Sequence, residues 1–207
     1  RNIAIVGHGK SGKTSLAEAM LYAGKKTQKL NKVDNGDSVL DFDPEEKART
    51  MTIMSSFHNV TWKKHFINLI DTPGDANFVA DTFNSLQVVD GAVLVVDAAA
   101  GVQVITEKLW QFLQEKNIPT LIFVNRLDRE NTDYAGVLEE IKNTLKVNPT
   151  PLTIPIGSEA GFSGVVDLVK GKGFSFAEDE SGKLSECDMP DDMSDTVSEL
   201  RQKLIED

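Results

Sequence analysis

The chain has 207 residues, 40% of them hydrophobic, and carries 32 acidic against 22 basic side chains, a formal net charge of −10. That length and apolar content suffice for one good core and part of a second. The acidic balance excludes non-specific nucleic-acid binding through a basic face, because neutralising phosphates takes clustered Lys and Arg. The apolar runs GAVLVV and LIFV are strand-length and far short of the about 18 residues of a membrane helix, so no membrane partner is expected. The single cysteine, Cys187, permits no internal disulfide and fits a reducing, cytoplasmic setting. No targeting segment is visible, and a chain that opens without an initiator Met is expected to have been trimmed.

In chain order, NIAIV (2–6) is the first predicted strand, rich in Ile and Val and ending in a turn. The next loop, GHGKSGKT from Gly7 to Thr14, matches G-x-x-x-x-G-K-[ST] at each fixed position, between a strand and a helix as that motif requires. Its glycines let backbone N–H groups converge on phosphate oxygens, Lys13 offers a point charge to the β- and γ-phosphates, and the Thr14 hydroxyl is placed to ligate Mg²⁺. Leu16, Ala17, Met20 and Leu21 then describe a helix closed by Gly24. The stretch 25–50 is charged and lacks a periodic apolar stripe; within it the acid-rich DNGDSVLDFDPEE (34–46) lacks calcium-loop spacing and reads as a solvated face. His58 and His65 fall in a hairpin-like segment with no visible partner, which favours surface or structural roles.

HFINLID (65–71) is the next strand, and Asp71 at its end is where a phosphate-loop protein places the carboxylate that holds Mg²⁺ through water. The turn DTPGD follows, with Asp75 placed to cap a helix expected to start near Ala76. GAVLVVD and TLIFVN are two more buried parallel strands, separated by a helix through Val102, Ile105, Leu109, Phe112 and Leu113. NRLD, Asn125 to Asp128, closes the last of these strands; there the Asp128 carboxylate can accept from the ring N–H and exocyclic amine of guanine, which adenine cannot offer. A third helix runs through Tyr134, Val137, Leu138, Ile141 and Leu145. The alternation predicts an α/β fold of the P-loop NTPase type, a doubly wound, mostly parallel sheet with helices on both faces and ligands beyond the carboxyl ends of the strands.

The ordered set GHGKSGKT, RTMTI (49–53), DTPGD (71–75) and NRLD resembles the GTPase domain of translational GTPases, whose usual forms are GHxDxGKT, RGITI, DTPGH and NKxD. PIGSEAGFSGVVDLVKGKGFSF, Pro155 to Phe176, resembles the start of the insert that elongation factor G carries in that domain. The resemblance implies guanine nucleotide held by Gly7, His8, Gly9, Lys10, Ser11, Gly12, Lys13, Thr14 and Ser15, by Asp71, Thr72, Pro73, Gly74 and Asp75, and by Asn125, Arg126 and Asp128. It implies Mg²⁺ on Thr14 and Thr52, with Asp71 bound through water and Thr52 closing over the ion and the γ-phosphate in the GTP state, and catalytic roles for Lys13, Thr52 and the residue at position 75. It places 25–50 as a mobile first switch. It further implies a monomeric domain that acts, in the whole protein, at the GTPase centre of the large ribosomal subunit, without reading nucleic-acid sequence. A domain of residues 1–150 followed by the start of an insert at 151–207 is expected; the fifth motif, a Ser-Ala turn against guanine, is absent, and Ser158-Glu159-Ala160 does not substitute for it.

The chain departs from the family pattern at the hydrolytic positions. Asp75 stands where the family has the histidine that positions water, Gly9 and Met51 stand where its gating Val and Ile are usual, and Lys10 replaces the phosphate-loop Asp. A GTP-binding regulator, or a ribosome-protection paralogue with little hydrolysis, is therefore the alternative. An ATP-binding protein is opposed by NRLD.

Overall fold

The computed structural model describes residues 1–177 and 183–206. The chain divides into two compact units, Arg1–Asn125 and Arg126–Asp207, each described separately.

In the first unit, β1 (Asn2–Val6), β3 (His65–Asp71), β4 (Gly91–Asp97) and β5 (Thr120–Asn125) run parallel, and β2 (Ser56–Trp62) lies antiparallel on β3. The sheet order β2-β3-β1-β4-β5 puts β1 at the centre, where Ala4, Ile5 and Val6 are wholly buried, as a strand covered on both faces must be. The helices are α1 (Lys13–Ala23), α2 (Pro44–Arg49), α3 (Val79–Ser85) and α4 (Val104–Glu115). Ala17 and Leu21 of α1 join Ile5, Val60, Leu69, Val95 and Leu40 in one core cluster. The expected doubly wound fold is thus present, with its strands at the expected positions.

The stretch 25–50 contains a 3₁₀ turn at Val33–Asn35, helix α2, and Leu40, which packs in the core at 1% exposure. Other expectations are corrected. The acid-rich 34–46 is not a solvated face, because Asp41 and Glu46 are buried within it. Helix α3 begins at Val79 rather than near Ala76, and the helix expected from Val102 begins at Val104. Among the described residues β5 is an edge strand, paired with β4, and its burial alternates, leaving Leu121 and Phe123 exposed on one face. His58 and His65 do lie exposed on the β2–β3 hairpin.

Helix α2 had a readable signal. Asp43-Pro44 with Glu46 is a capping box: the Asp43 carboxylate accepts from the Glu45 N–H at 2.8 Å, the Glu46 carboxylate accepts from the Asp43 N–H at 3.3 Å, and Pro44 fills the first helical position.

The second unit pairs α5 (Tyr134–Leu145) and α6 (Ser194–Glu206) with an antiparallel sheet, β6 (Thr153–Ile156), β7 (Gly164–Asp167), β8 (Lys172–Phe176) and β9 (Leu184–Cys187), in sequential order. Its core is Ile154, Val166, Leu168 and Val197, with Tyr134, Met189, Leu200 and Leu204 packed against it.

Leu40 tests whether the segment between α1 and β2 belongs to the fold. Leu40→Ala removes a fully buried side chain and is expected to lower unfolding free energy by about 2–5 kcal/mol in urea denaturation. A loss below about 1 kcal/mol would show that the segment packs only loosely.

Candidate functional site

The loop between β1 and α1 is wound tightly, with φ of 149° at Gly7, 63° at Lys10 and 94° at Gly12. Gly12 is needed twice: its φ lies in the left-handed region, and a Cβ there would run into the Asn125 amide. That amide, at the carboxyl end of β5, donates to the Ser11 carbonyl at 2.8 Å. The first residue of NRLD thus ties down the loop of GHGKSGKT. His8 contributes its Nδ1–H to the Gly9 carbonyl at 2.8 Å, and Lys10 is exposed. Ser15 is exposed on the first turn of α1.

Lys13 is buried beneath this loop, its ammonium donating to the His8 carbonyl at 2.9 Å. Gly74 of DTPG approaches so closely that a Cβ there would meet Lys13 Nζ. The turn is pinned from both sides, by the Thr72 hydroxyl donating to the Ile5 carbonyl at 2.8 Å and by the Thr82 hydroxyl donating to the Pro73 carbonyl at 2.8 Å. Burial lowers the Lys13 pKa to about 8, against the opposing pull of Asp71 and Asp41.

Asp71 sits at the end of β3 with no exposure, opposite Ile5 of β1. The Thr14 hydroxyl donates to its Oδ2 at 2.7 Å, and the Thr52 hydroxyl donates to Asp41 Oδ1 at 2.8 Å. The two threonine oxygens lie 3.1 Å apart. While both carboxylates are ionised each hydroxyl gives its one proton to one of them, so two sets of lone pairs face one another; with Asp71 protonated, either hydroxyl can donate to the other. Asp71 Oδ1 is buried without a hydrogen-bond partner. Burial raises the Asp71 pKa to about 7, with the Thr14 hydrogen bond and Lys13 opposing, and burial likewise raises that of Asp41. These facts describe one deficit: the cluster is short of positive charge, and a proton or a small cation supplies it. An oxygen-only donor set of two hydroxyls and a carboxylate suits Mg²⁺.

Asp75 lies next to this cluster in sequence but caps no helix. Its Oδ1 accepts from the Asn77 N–H at 2.9 Å and from Asn77 Nδ2 at 2.8 Å, while its carbonyl accepts from the Phe78 N–H at 3.1 Å. The carboxylate therefore closes a turn ahead of α3, and turns to Asn77 rather than to Lys10.

Arg126 and Asp128 belong to the second unit. There Arg126 has φ 66°, the Arg129 N–H donates to its carbonyl at 3.2 Å, and Asp128 is exposed at the tip of the resulting turn. The Thr132 hydroxyl is shared between the Leu127 and Arg129 carbonyls, at 3.1 and 2.9 Å. The Ser158–Ala160 stretch braces the same turn: the Glu159 N–H donates to the Leu127 carbonyl at 3.0 Å and the Glu159 carboxylate accepts from the Asn131 N–H at 2.6 Å.

Two residues beside the first-unit cluster escaped sequence reasoning. Asp41 was absorbed into an acidic run, and Glu18 looked like one polar position among many on α1. Only burial distinguishes them, although the capping box that precedes α2 already argued against a uniformly solvated segment.

A phosphate-type loop, a buried lysine and an Asp–Thr–Thr–Asp cluster at the carboxyl ends of parallel strands define a nucleotide-binding protein of the P-loop class. The family model for the elongation factor Tu GTP-binding domain matches residues 1–204, and the chain belongs to that family. It is 37% identical over 206 residues to elongation factor G of Thermotoga sp. (strain RQ2) and 36% identical to that of Thermotoga petrophila, covering all of this chain and 30% of each relative. A crystal structure of a Thermus thermophilus protein superimposes with a TM-score of 0.91 at 31% identity, over all of this chain and 30% of that one. The matched family is that of a GTP-binding domain. The chain spans under a third of the length of these relatives.

Asp71 sets a pH test. Its pKa stands raised from 3.8 to about 7, so the cost of burying its charge is absent below about pH 4 and fully present above about pH 7. Linkage puts that cost at about 4 kcal/mol. In nucleotide-free protein Asp71→Asn is expected to stabilise by about 1–3 kcal/mol at pH 8, since Lys13 also loses a partner, and by little at pH 4. Denaturant midpoints at the two pH values measure this; an equal effect at both contradicts the buried charge.

Proposed function

We propose that this chain is the guanine-nucleotide-binding and GTP-hydrolysing part of an elongation factor G-like translation factor. The observation that carries the reading is the pair of threonine hydroxyls, each donating to a buried carboxylate, beside an Asp71 oxygen that lacks a donor. In this reading Thr14 and Thr52 would ligate Mg²⁺, Asp71 would hold it through water, and the ion would neutralise charge on the β- and γ-phosphates. The chain's own groups do the rest. The backbone N–H groups of 7–15 would cradle phosphate, Lys13 would leave the His8 carbonyl for phosphate oxygens, Thr72 to Gly74 would face the terminal phosphate, and the motif of Asn125, Arg126 and Asp128 would read the base, with Asp128 the guanine reader.

The division into 1–150 as a GTP-binding domain and 151–207 as part of an elongation factor G-type insert belongs to the same proposal, as do cytoplasmic location, a monomeric domain and action on the large ribosomal subunit in the full-length protein. Among the described residues no helix is long and apolar enough to cross a membrane. Lys10 could place positive charge where the family's Asp holds a monovalent ion; potassium and sodium should then serve hydrolysis equally.

Hydrolysis is proposed to be slow. An ionised Asp75 about 4 Å from a γ-phosphate oxygen is repelled by about 4 kcal/mol per unit charge at an effective dielectric of 20. Its carboxylate is already turned to Asn77, which leaves the attacking water without a positioned base.

Two experiments test the reading. GTP and GDP are expected to displace a fluorescent guanine nucleotide at least about a hundredfold better than ATP, and Asp128→Asn should shift preference toward xanthine nucleotides, since one lost charge-assisted pair costs about 3 kcal/mol. Equal displacement by ATP would sink the assignment. In single-turnover hydrolysis on ribosomes, the full-length Asp75→His protein should turn over at least about tenfold faster than its parent. A parent already as fast as that variant means that another group positions the water.

A further inference from the structure

Thr14 and Glu18 stand one turn apart on α1, on the same face. Thr14 meets Thr52; Glu18 takes no part in the proposed nucleotide chemistry, yet it is wholly buried. Four donors converge on its carboxylate, all from the segment between α1 and α2. Asn31 Nδ2 donates to Oε2 at 2.9 Å, while the Ser38 hydroxyl at 2.7 Å, the Val39 N–H at 2.7 Å and the Leu40 N–H at 3.4 Å all donate to Oε1. The Ser38 oxygen in turn accepts from the Leu40 and Asp41 N–H groups at 3.1 and 3.2 Å. Asp41 then reaches Thr52, and Thr52 reaches Thr14. The path leaves α1 at Glu18 and returns to it one turn earlier.

We propose that Glu18 is a positioning residue: it anchors residues 31–41 against α1 and thereby sets where Asp41 and Thr52 stand. The apolar effect is too small to do this alone, because Leu40 is the one buried hydrophobic residue between 25 and 50, while Asn31, Ser38, Asp41 and Glu46 are the buried polar ones. Three of those four, Asn31, Ser38 and Asp41, and the Leu40 backbone bind through Glu18 or its Ser38 partner. Each donor withdrawn from a buried carboxylate raises the cost of keeping its charge out of water, so the contacts that hold the segment depend on one another. An anchor on the helix that follows the phosphate loop also lets a ligand at that loop bias the segment through a rigid element.

The inference rests on the proposed nucleotide function for its consequence, though not for its geometry, and the test separates the two. Hydrogen exchange of nucleotide-free, full-length protein reads the Val39 and Leu40 amides directly, since the carboxylate is their acceptor. Glu18→Ala is expected to accelerate exchange in the 33–41 peptide by at least about tenfold and leave β4 and α4 unchanged. Glu18→Gln keeps the volume and one acceptor oxygen and should fall between. Exchange in Glu18→Ala within about twofold of the parent overturns the proposal. If Glu18→Ala fails to fold, the Asn31→Ala/Ser38→Ala double variant, which leaves α1 intact, is held to the same criterion. On the nucleotide side, Glu18→Ala should speed dissociation of a fluorescent non-hydrolysable GTP analogue about tenfold and that of GDP less than about threefold, because Thr52 serves the triphosphate state. Equal acceleration of both overturns the positioning of Thr52. A parent that binds no guanine nucleotide overturns the proposed function, and the exchange result still decides the anchor.

Discussion

The Thr14 and Thr52 oxygens stand 3.1 Å apart, each hydroxyl also donating to a buried carboxylate, and the arrangement around the phosphate-type loop follows from that crowding of acceptors. Asp71 is brought there by sheet order: β3 lies beside β1, so its last residue ends level with Ile5, where the loop leaves the central strand. A carboxylate enclosed at that point keeps its charge only with a cation nearby, and otherwise takes up a proton near neutral pH. Lys13 is the mirror case, an ammonium whose burial makes it ready to lose its proton. Neither group is comfortable, and each is the other's partial remedy. Sites built for a charged ligand commonly hold such mutually dependent, underpaired groups, since the ligand supplies the missing interaction.

The strain is held by ordinary folding forces. Ala17, Leu21 and Leu40 bury α1 and the following segment against Ile5, Leu69 and Val95, which fixes the helix from which Lys13 and Thr14 project. The chain after Thr52 is secured by carboxylates as well: Glu46 accepts from the Ile53 and Met54 N–H groups at 2.9 and 3.2 Å, and Asp81 from the Ser55 N–H at 2.6 Å. Acidic side chains thus do the work that apolar ones do elsewhere in the unit. They hold only while every donor is present, so the stretch from Asn31 to Ser55 is sensitive to any change that withdraws one of them.

The strands and main helices were legible because their signals are short-range and repeated: apolar runs that end in Asp71, Asp97 and Asn125, and helical spacing in α1, α4 and α5. The phosphate-type loop was legible because few backbones tolerate that spacing of Gly, Lys and Thr. The segment after α1 was not legible, because its buried residues are mostly polar and composition cannot tell a solvated Asp from one that accepts a buried hydroxyl. Even the net charge of −10 misdescribes the site, for the first unit carries 14 acidic against 13 basic residues and the second 18 against 9. Averaged over the chain, the acidity conceals a nearly neutral unit in which a few misread carboxylates do the positioning.

Asp75 shows why a motif and its chemistry can part company. The turn after Gly74 needs an acceptor for the Asn77 N–H before α3 begins, and a short carboxylate reaches it without strain. Local folding is therefore satisfied by the residue that is least suited to stand beside a phosphate. The groups proposed to face nucleotide, Lys13, Thr14, Thr52 and Asp71, are held by hydrogen bonds that do not pass through position 75. A change there leaves the proposed binding groups intact and alters only what happens to the bound terminal phosphate. On the proposed function, turnover could be tuned at this one side chain, with the turn itself as the remaining constraint.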